Sequence, residues 1–212
     1  MIAKEGRAIL FILLAISFPL GVYSHASNNQ YLTFLYCLFG IVFLFTIYFF
    51  RDPLRKINND PSFFVSPADG RILSIDVVND NDIGPSSYVI SIFLSLFDVH
   101  VNRYPFDGIV DHVERKNGKF IAAFNHKAVD VNEQVITTIA YHNSKYKIKQ
   151  IAGLIARRIL CYAKPNLKVM KGDRMGFIRF GSRTDLVVPS NVTICVKEGD
   201  KVKGGETILA KI

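Results

Sequence analysis

Two apolar runs stand out at the N-terminus. Residues 8–23 and residues 31–50 carry no charged side chain, and the second run has 20 positions. With a rise of about 1.5 Å per residue, a 20-residue helix crosses the ~30 Å hydrocarbon core of a bilayer, and the shorter run reaches across a slightly thinned bilayer. The uncharged link at residues 24–30 indicates a polar turn. The pattern therefore predicts a membrane-anchoring helical hairpin over residues 1–50.

The charges beside these runs predict the orientation of the hairpin. Five basic residues flank the runs on the outside: Lys4, Arg7, Arg51, Arg55 and Lys56. The positive-inside rule puts both flanks in the cytoplasm, so residues 51–212 are expected on the cytoplasmic side of the cell membrane. A secretory signal peptide cleaved near Ser24-His25-Ala26 is the alternative. The second apolar run begins only five residues later, which favours the hairpin.

The remaining sequence has the pattern of a β protein. Short apolar runs rich in β-branched residues recur between turn residues, which is typical of strands. These runs cover residues 70–75, 88–96, 108–110, 135–141, 186–188 and 192–196. Residues 149–158 alone show helical spacing. Residues 196–212 contain Gly199-Asp200 and Gly204-Gly205 and predict a closing hairpin, with Val202 and Ile208 pointing inward. We expect a mainly β fold with minor α, a small barrel or sandwich with lipoyl-like hairpins.

Composition limits the possible classes of protein. The chain has 212 residues, 50% of them hydrophobic, and a net charge of +8, which excludes a disordered tail, a collagen and a coiled coil. Residues 51–212 suffice for one domain with its own core. The cysteines Cys37, Cys161 and Cys195 form no CxxC pair, so we expect neither a disulfide framework nor a metal site, and a reducing compartment fits best.

Positive charge is concentrated in one part of the chain. Residues 145–183 hold eleven basic side chains and a single acidic one, Asp173. A basic band beside the cytoplasmic leaflet predicts attraction to anionic phospholipid. Nucleic acid is the competing partner, but the membrane hairpin and the lack of a nucleic-acid-reading motif argue against it. A solvated positive face without a specific ligand also explains the pattern.

Four ordered motifs resemble those of a known family. They are FFRDPLR at residues 49–55, SPADGRI at 66–72, SIFLSLFDVHVNRYP at 91–105 and MGFIRFGSRTDLVVP at 175–189. Together they resemble the short, membrane-anchored phosphatidylserine decarboxylases, which are self-cleaving proenzymes. The resemblance covers residues 49–212.

The resemblance implies both a cofactor and a reaction. Cleavage between Gly181 and Ser182 would give a large chain, 1–181, and a small chain, 182–212, that stay together as a heterodimer, with further oligomerisation left open. Ser182 would become a covalent pyruvoyl group, with no metal required. Phosphatidylserine would then be converted to phosphatidylethanolamine and CO2 through a Schiff base to that group.

The same resemblance assigns roles to other residues. Asp69 and His100 are the expected catalytic partners of Ser182, since activating a serine needs a base oriented by a carboxylate. Longer bacterial members carry a second histidine where this chain has Arg103, so Arg103 is expected to bind the substrate carboxylate or phosphate instead. Arg183 and His126 are further candidates for substrate binding. His126 is also the second choice for the base.

Two functions of other classes remain open on the sequence. A lipoyl- or biotinyl-like carrier would use Lys127 as its modified lysine, although this lysine lacks a symmetric pair of strands around it. A scaffold would bind anionic lipid without catalysis. Chain integrity separates these functions, because only the decarboxylase predicts two chains from one gene.

Overall fold

Two apolar helices, α1 (Lys4–Ser27) and α2 (Gln30–Phe49), form the first of two compact units, Met1–Leu54. The computed structural model describes residues 1–118, 131–153, 159–179 and 182–212 of the chain. Both helices are long and apolar enough to cross a membrane. They pack against each other, with Ser24 Oγ 2.9 Å from Thr33 Oγ1. The helical hairpin expected from the sequence is confirmed.

The turn between the helices is shorter than predicted. Residues 24–27 belong to the last turn of α1, so Asn28 and Asn29 alone make the connection. Asn28 adopts a left-handed conformation with φ 47°, which asparagine tolerates better than most residues. The side chain of Asn29 accepts hydrogen bonds from the backbone N–H groups of Tyr31 and Leu32 and caps α2. These two asparagines let polar residues 24–27 remain helical.

The second unit, Arg55–Ile212, is built from strands. In chain order the strands are β1 (Phe63–Val65), β2 (Gly70–Asp80), β3 (Gly84–Leu94), β4 (Val101–Arg103), β5 (Gly108–Lys116), β6 (Gln134–Tyr141), β7 (Ser144–Ile151), β8 (Ile159–Cys161), β9 (Lys168–Val169), β10 (Arg174–Ile178), β11 (Ser182–Val188), β12 (Thr193–Ile194), β13 (Lys201–Val202) and β14 (Ile208–Lys211). The mainly β fold is confirmed, and each of the six predicted apolar runs lies wholly or partly in a strand.

The strands form three antiparallel sheets, and many of their buried side chains meet in a large core cluster. Eight strands form a curled half-barrel in the order β13-β2-β3-β11-β7-β6-β5-β9. The smaller sheets have the orders β4-β10-β8 and β1-β14-β12. In β11, Leu186 and Val188 lie opposite Ile90 and Tyr88 of β3, and the alternating side chains of this pair fill the core. Thr184 and Ser182 continue the same face towards the start of β11.

Two local predictions are corrected by the strand pairing. The C-terminal segment does not form a hairpin: β13 pairs with β2, whereas β14 pairs with β1 and β12. The predicted turns do occur, with Gly199 at φ 86° and Gly205 at φ 80°. Val202 is buried as expected, while Ile208 is only partly buried. The predicted helix at residues 149–158 is wrong at its start, because β7 continues to Ile151, and residues 154–158 lie outside the described residues.

Ion pairs neutralise part of the basic band at residues 145–183. Lys147 Nζ lies 2.5 Å from Asp80 and 2.6 Å from Asp82. Lys145 Nζ lies 2.7 Å from Asp111. Strand pairing therefore brings acidic residues that are distant in sequence next to these lysines. The charge count for residues 145–183 did not include them.

We expect Gly70→Ala to destabilise the second unit. A Cβ at Gly70 would lie 2.1 Å from the carbonyl oxygen of Phe93, and a backbone oxygen of a central strand cannot move aside easily. Overpacking of this kind costs about 1–3 kcal/mol. Thermal unfolding of the detergent-solubilised variant measures the loss, and an unchanged unfolding midpoint would show that β2 and β3 adjust to the added methyl group.

Candidate active site

Ser182 is the first residue of β11 and is fully buried. It lies opposite Leu94, the last residue of β3, and shares the core-facing side of β11 with Thr184. Within the described part of the chain, its Oγ has no hydrogen-bond partner. A buried hydroxyl that is left unpaired costs about 1–3 kcal/mol, so this side chain is retained at the expense of stability.

A tight turn at residues 95–98 follows β3 directly after Leu94, the residue opposite Ser182. The Asp98 carboxylate accepts hydrogen bonds from Ser95 N at 2.8 Å and Ser95 Oγ at 2.6 Å. Asp98 N donates back to Ser95 O at 3.1 Å. These three bonds reverse the chain within four residues and direct it into β4.

His100 comes directly after this turn and is fully buried. Its Nδ1 lies 2.9 Å from the carbonyl oxygen of Asp98. A carbonyl oxygen only accepts hydrogen bonds, so Nδ1 carries the proton and Nε2 of the neutral ring has the basic lone pair. Nδ1 thus contacts a backbone carbonyl, whereas the sequence predicts a carboxylate that orients this ring.

The chain before Ser182 also passes beside His100. Ile178, the last residue of β10, donates its N–H to the carbonyl of His100 at 3.3 Å. Ser182 follows four residues later, and four residues span at most about 14 Å. The structure therefore brings His100 and Ser182 to the same end of strands β10 and β11.

Asp69 precedes β2 and is held by two groups. Arg55 donates to both carboxylate oxygens, at 2.8 and 2.9 Å, and Gly204 N donates to Oδ1 at 2.9 Å. Burial raises the pKa of Asp69, and the nearby Asp98 charge adds to the rise, whereas Arg55 and Gly204 oppose it. Gly70, which follows Asp69, lines a cavity of about 350 Å³ together with Ser95 and Asp98 of the turn before His100.

Arg103 ends β4 on the side of Asp69. Its Nη1 donates to the carbonyl of Gly172 at 2.9 Å. A Cβ on Gly205 would lie 3.2 Å from Arg103 Cδ and 3.8 Å from Arg55 Cβ, so the two arginines flank the same glycine. Two guanidinium groups and one carboxylate are thereby gathered at the beginning of β2.

Arg183 points away from this cluster. It faces the side of β11 opposite to Ser182, where its Nε and Nη2 bind Asp185 at 2.6 and 3.1 Å. Nη2 also donates to Ser91 Oγ at 2.6 Å. A cavity of about 460 Å³ on that side is lined partly by Arg183, Asp185 and Lys149. Binding of substrate by Arg183 stays a prediction.

Three sequence candidates fall outside the described residues: Gly181, His126 and Lys127. His112 lies on the surface, with a side chain 47% exposed. Cys37, Cys161 and Cys195 are all free thiols. The described ranges contain no cluster of three His, Cys, Asp or Glu side chains with the geometry of a metal site.

Comparisons with known proteins connect this geometry to a family. The model of the phosphatidylserine decarboxylase family matches residues 42–210. The phosphatidylserine decarboxylase proenzyme of Desulfotalea psychrophila is 45% identical over 100% of this chain and 96% of its own length. The chain belongs to the phosphatidylserine decarboxylase family. Proenzymes of the same name from Chlorobium chlorochromatii and Wolbachia pipientis wMel are 46% and 42% identical, each over 82% of this chain.

Membership in the phosphatidylserine decarboxylase family confirms the resemblance stated from the four motifs. The chain is therefore an enzyme of a lipid-decarboxylating proenzyme family, which favours catalysis over the carrier and scaffold alternatives. The family's chemistry agrees with a buried serine at the start of β11 and a buried histidine that contacts the end of β10.

Two side chains of the candidate site, Arg55 and Asp98, were not assigned a role there from the sequence. Both lie within the four motifs, and a charged side chain inside a motif was the available signal.

Proposed function

We propose that this chain cleaves itself between Gly181 and Ser182 and then decarboxylates phosphatidylserine with the pyruvoyl group formed at residue 182. The observation that supports this most is the Ser182 hydroxyl, which is buried and has no hydrogen-bond partner among the described residues. Its burial and its place at the His100 end of β11 fit a group that becomes the cofactor. A buried hydroxyl with a purely structural role would be expected to have a hydrogen-bond partner.

Self-cleavage begins with the serine acting as nucleophile. Ser182 Oγ adds to the carbonyl carbon of Gly181, the peptide C–N bond breaks, and an ester and a free amine result. His100 Nε2 takes the hydroxyl proton and returns it to the departing amine. Loss of the Ser182 α-proton and of the Gly181 carboxylate then gives dehydroalanine. Water hydrolyses this residue with release of ammonia and leaves the pyruvoyl group on the small chain.

Residues around the new chain end then act on the substrate. The pyruvoyl ketone supplies an electrophile for the substrate amine and an electron sink for the pair left when CO2 departs. Arg103 binds the substrate phosphate or carboxylate, for which a planar guanidinium is suited. His100 Nε2 returns a proton to the substrate α-carbon. Asp69 is held beside Arg103 and stabilises positive charge at the site.

The two chains stay together and lie at the membrane. Strand β11 pairs with β3 and β7 along its length, so the small chain remains fixed in the sheet after cleavage. The two apolar helices anchor the large chain, and the flanking basic residues favour a cytoplasmic catalytic domain. The lipid substrate is then available from the leaflet beside the enzyme.

The intact mass of the detergent-purified protein tests this proposal. We expect two species split after Gly181, with the smaller one starting at a pyruvoyl group in place of Ser182. A single unmodified chain from a folded sample would contradict self-cleavage. A mass increment on an intact chain would indicate a carrier.

The rate of self-cleavage should depend on pH through Asp69, because its negative charge stabilises the protonated His100 that forms when the serine proton is taken. The pKa of Asp69 is raised above its usual value of 3.8. We therefore expect processing to slow as the pH falls and the Asp69 carboxylate becomes protonated. Arg55→Gln removes a charge that lowers the pKa of Asp69, and the acid limb should therefore move to higher pH. Processing rates of the unfolded-and-refolded proenzyme across pH measure this shift.

Lys56→Gln is the matched control, because Lys56 is the exposed basic neighbour of Arg55. It should leave the acid limb in place. Equal profiles for wild type and Arg55→Gln would mean that ionisation of Asp69 does not limit cleavage.

A further inference from the structure

Three buried polar side chains form a hydrogen-bonded chain that joins the eight-stranded sheet to the β4-β10-β8 sheet. Asn102 of β4 donates through Nδ2 to Thr184 Oγ1 of β11 at 3.2 Å. Gln150 of β7 donates through Nε2 to Asn102 Oδ1 at 2.7 Å. All three residues are fully buried. We name Asn102, Gln150 and Thr184 the amide clamp.

The amide clamp has a defined orientation. Both polar atoms of the Asn102 amide are used, one as donor and one as acceptor, so its plane cannot flip without losing two bonds. Gln150 lies directly opposite Thr184 in the β7–β11 ladder and faces the same side of the sheet. A buried polar group destabilises a core when its hydrogen bonds are not made, and Gln150 Oε1 has no partner among the described residues. The two bonds that are made favour one arrangement of the two sheets.

The position of the amide clamp relates it to the proposed catalytic residues. Thr184 lies two residues after Ser182 on the same face of β11, and Asn102 lies two residues after His100. Strand β10 ends beside His100, through the bond from Ile178 N to His100 O, just before the chain enters β11. His100 and Ser182 are therefore at the same end of the two strands that the Asn102–Thr184 bond connects.

We propose that Asn102 and Thr184 are positioning residues for self-cleavage: their bond across the sheets fixes the separation of His100 and Ser182. The inference rests on the proposed function and extends that function to residues that touch neither the scissile bond nor the substrate. Because a misplacement of about 1 Å can cost ~10²-fold in rate, one such bond can control a reaction between two buried side chains.

Paired threonine variants test the proposal. Thr184→Val keeps the shape of the side chain and removes the acceptor, so we expect processing to slow by about 10- to 100-fold. Thr184→Ser keeps the hydroxyl and should process within about twofold of wild type. Thr138→Val is the matched control: Thr138 is a fully buried threonine of the same sheet whose Oγ1 has no partner among the described residues. It should not change the rate.

A triple variant separates positioning from stability. Asn102→Leu, Gln150→Leu and Thr184→Val together remove every donor and acceptor of the amide clamp, and an apolar replacement of all partners can be nearly neutral for folding. We expect an unfolding midpoint near that of wild type with processing still slow. If the triple variant does not fold, the comparison of Thr184→Val with Thr184→Ser decides.

Wild-type processing in Thr184→Val or in the folded triple variant would overturn the inference while leaving the proposed function intact. Failure of the wild-type chain to cleave would instead overturn the proposed function. Intact mass over time after refolding gives both results from one experiment.

Discussion

We expect Ser182→Ala to abolish self-cleavage and to leave one chain of 23.9 kDa without decarboxylase activity. The substitution removes the only atom of residue 182 that can attack the preceding carbonyl, and with it the bond whose elimination leads to the pyruvoyl group. The expected effect is complete, because both the nucleophile and the cofactor precursor are lost. Intact mass and release of CO2 from phosphatidylserine in detergent micelles measure it.

The environment of Ser182 predicts that this variant folds. Its Oγ is buried and makes no hydrogen bond within the described chain, so removing it relieves an unpaired polar group and leaves only a small void. We expect the unfolding midpoint to stay the same or rise slightly. Loss of activity with normal folding would then result from lost chemistry.

Ser190→Ala is the control for Ser182→Ala. Ser190 lies in the exposed turn after β11 and belongs to the same small chain. Its variant should be cut and should retain activity. Cleavage of Ser182→Ala at the wild-type position would show that another group attacks the peptide bond, and the proposed mechanism would have to be abandoned.

The sequence predicts the elements well where one local pattern determines them. Uninterrupted apolar runs predict the two helices, and alternating β-branched runs predict the longer strands, because burial on one face depends on nearby residues only. The predicted run at residues 186–188 was shorter than β11, since Ser182, Arg183 and Asp185 are polar. Their buried partners on neighbouring strands make a strand of these polar residues possible.

The sequence does not predict features that depend on distant pairing. The C-terminal glycines do make turns, but the strands after each turn pair with β2 and with β1 and β12, which only the assembled fold determines. Burial of Arg183 depends in the same way on Ser91, which is 92 residues away in sequence. Local charge and turn patterns carry no information about such contacts.

The residues of the candidate site that lie within the four motifs could be predicted from the sequence. Ser182 and His100 were named from the sequence, and the structure places both, fully buried, at the same end of β10 and β11. The partner of Asp69 was not predicted: Arg55 lies 14 residues before it and reaches it through the fold. The two groups meet because the chain before β1 passes beside the start of β2.

His100→Ala is expected to slow self-cleavage by about 10²-fold or more, the usual contribution of a positioned general base. Nδ1 is committed to the Asp98 carbonyl, so Nε2 is the nitrogen able to take the Ser182 proton. His100→Gln should fare little better, because a neutral amide cannot accept that proton at neutral pH. His112→Gln, at an exposed position, should process normally.

A second measurement on His100→Ala separates the two roles proposed for the histidine. Long incubation should yield some processed protein, and the mass of the small chain gives the fraction that carries a pyruvoyl group. If turnover per pyruvoyl group is also reduced, His100 acts in both cleavage and decarboxylation; normal turnover confines it to cleavage. If neither rate changes, the base is another residue, and His126 is the next to be tested. Because Arg103 stands where longer relatives carry a second histidine, we expect both rates to fall together.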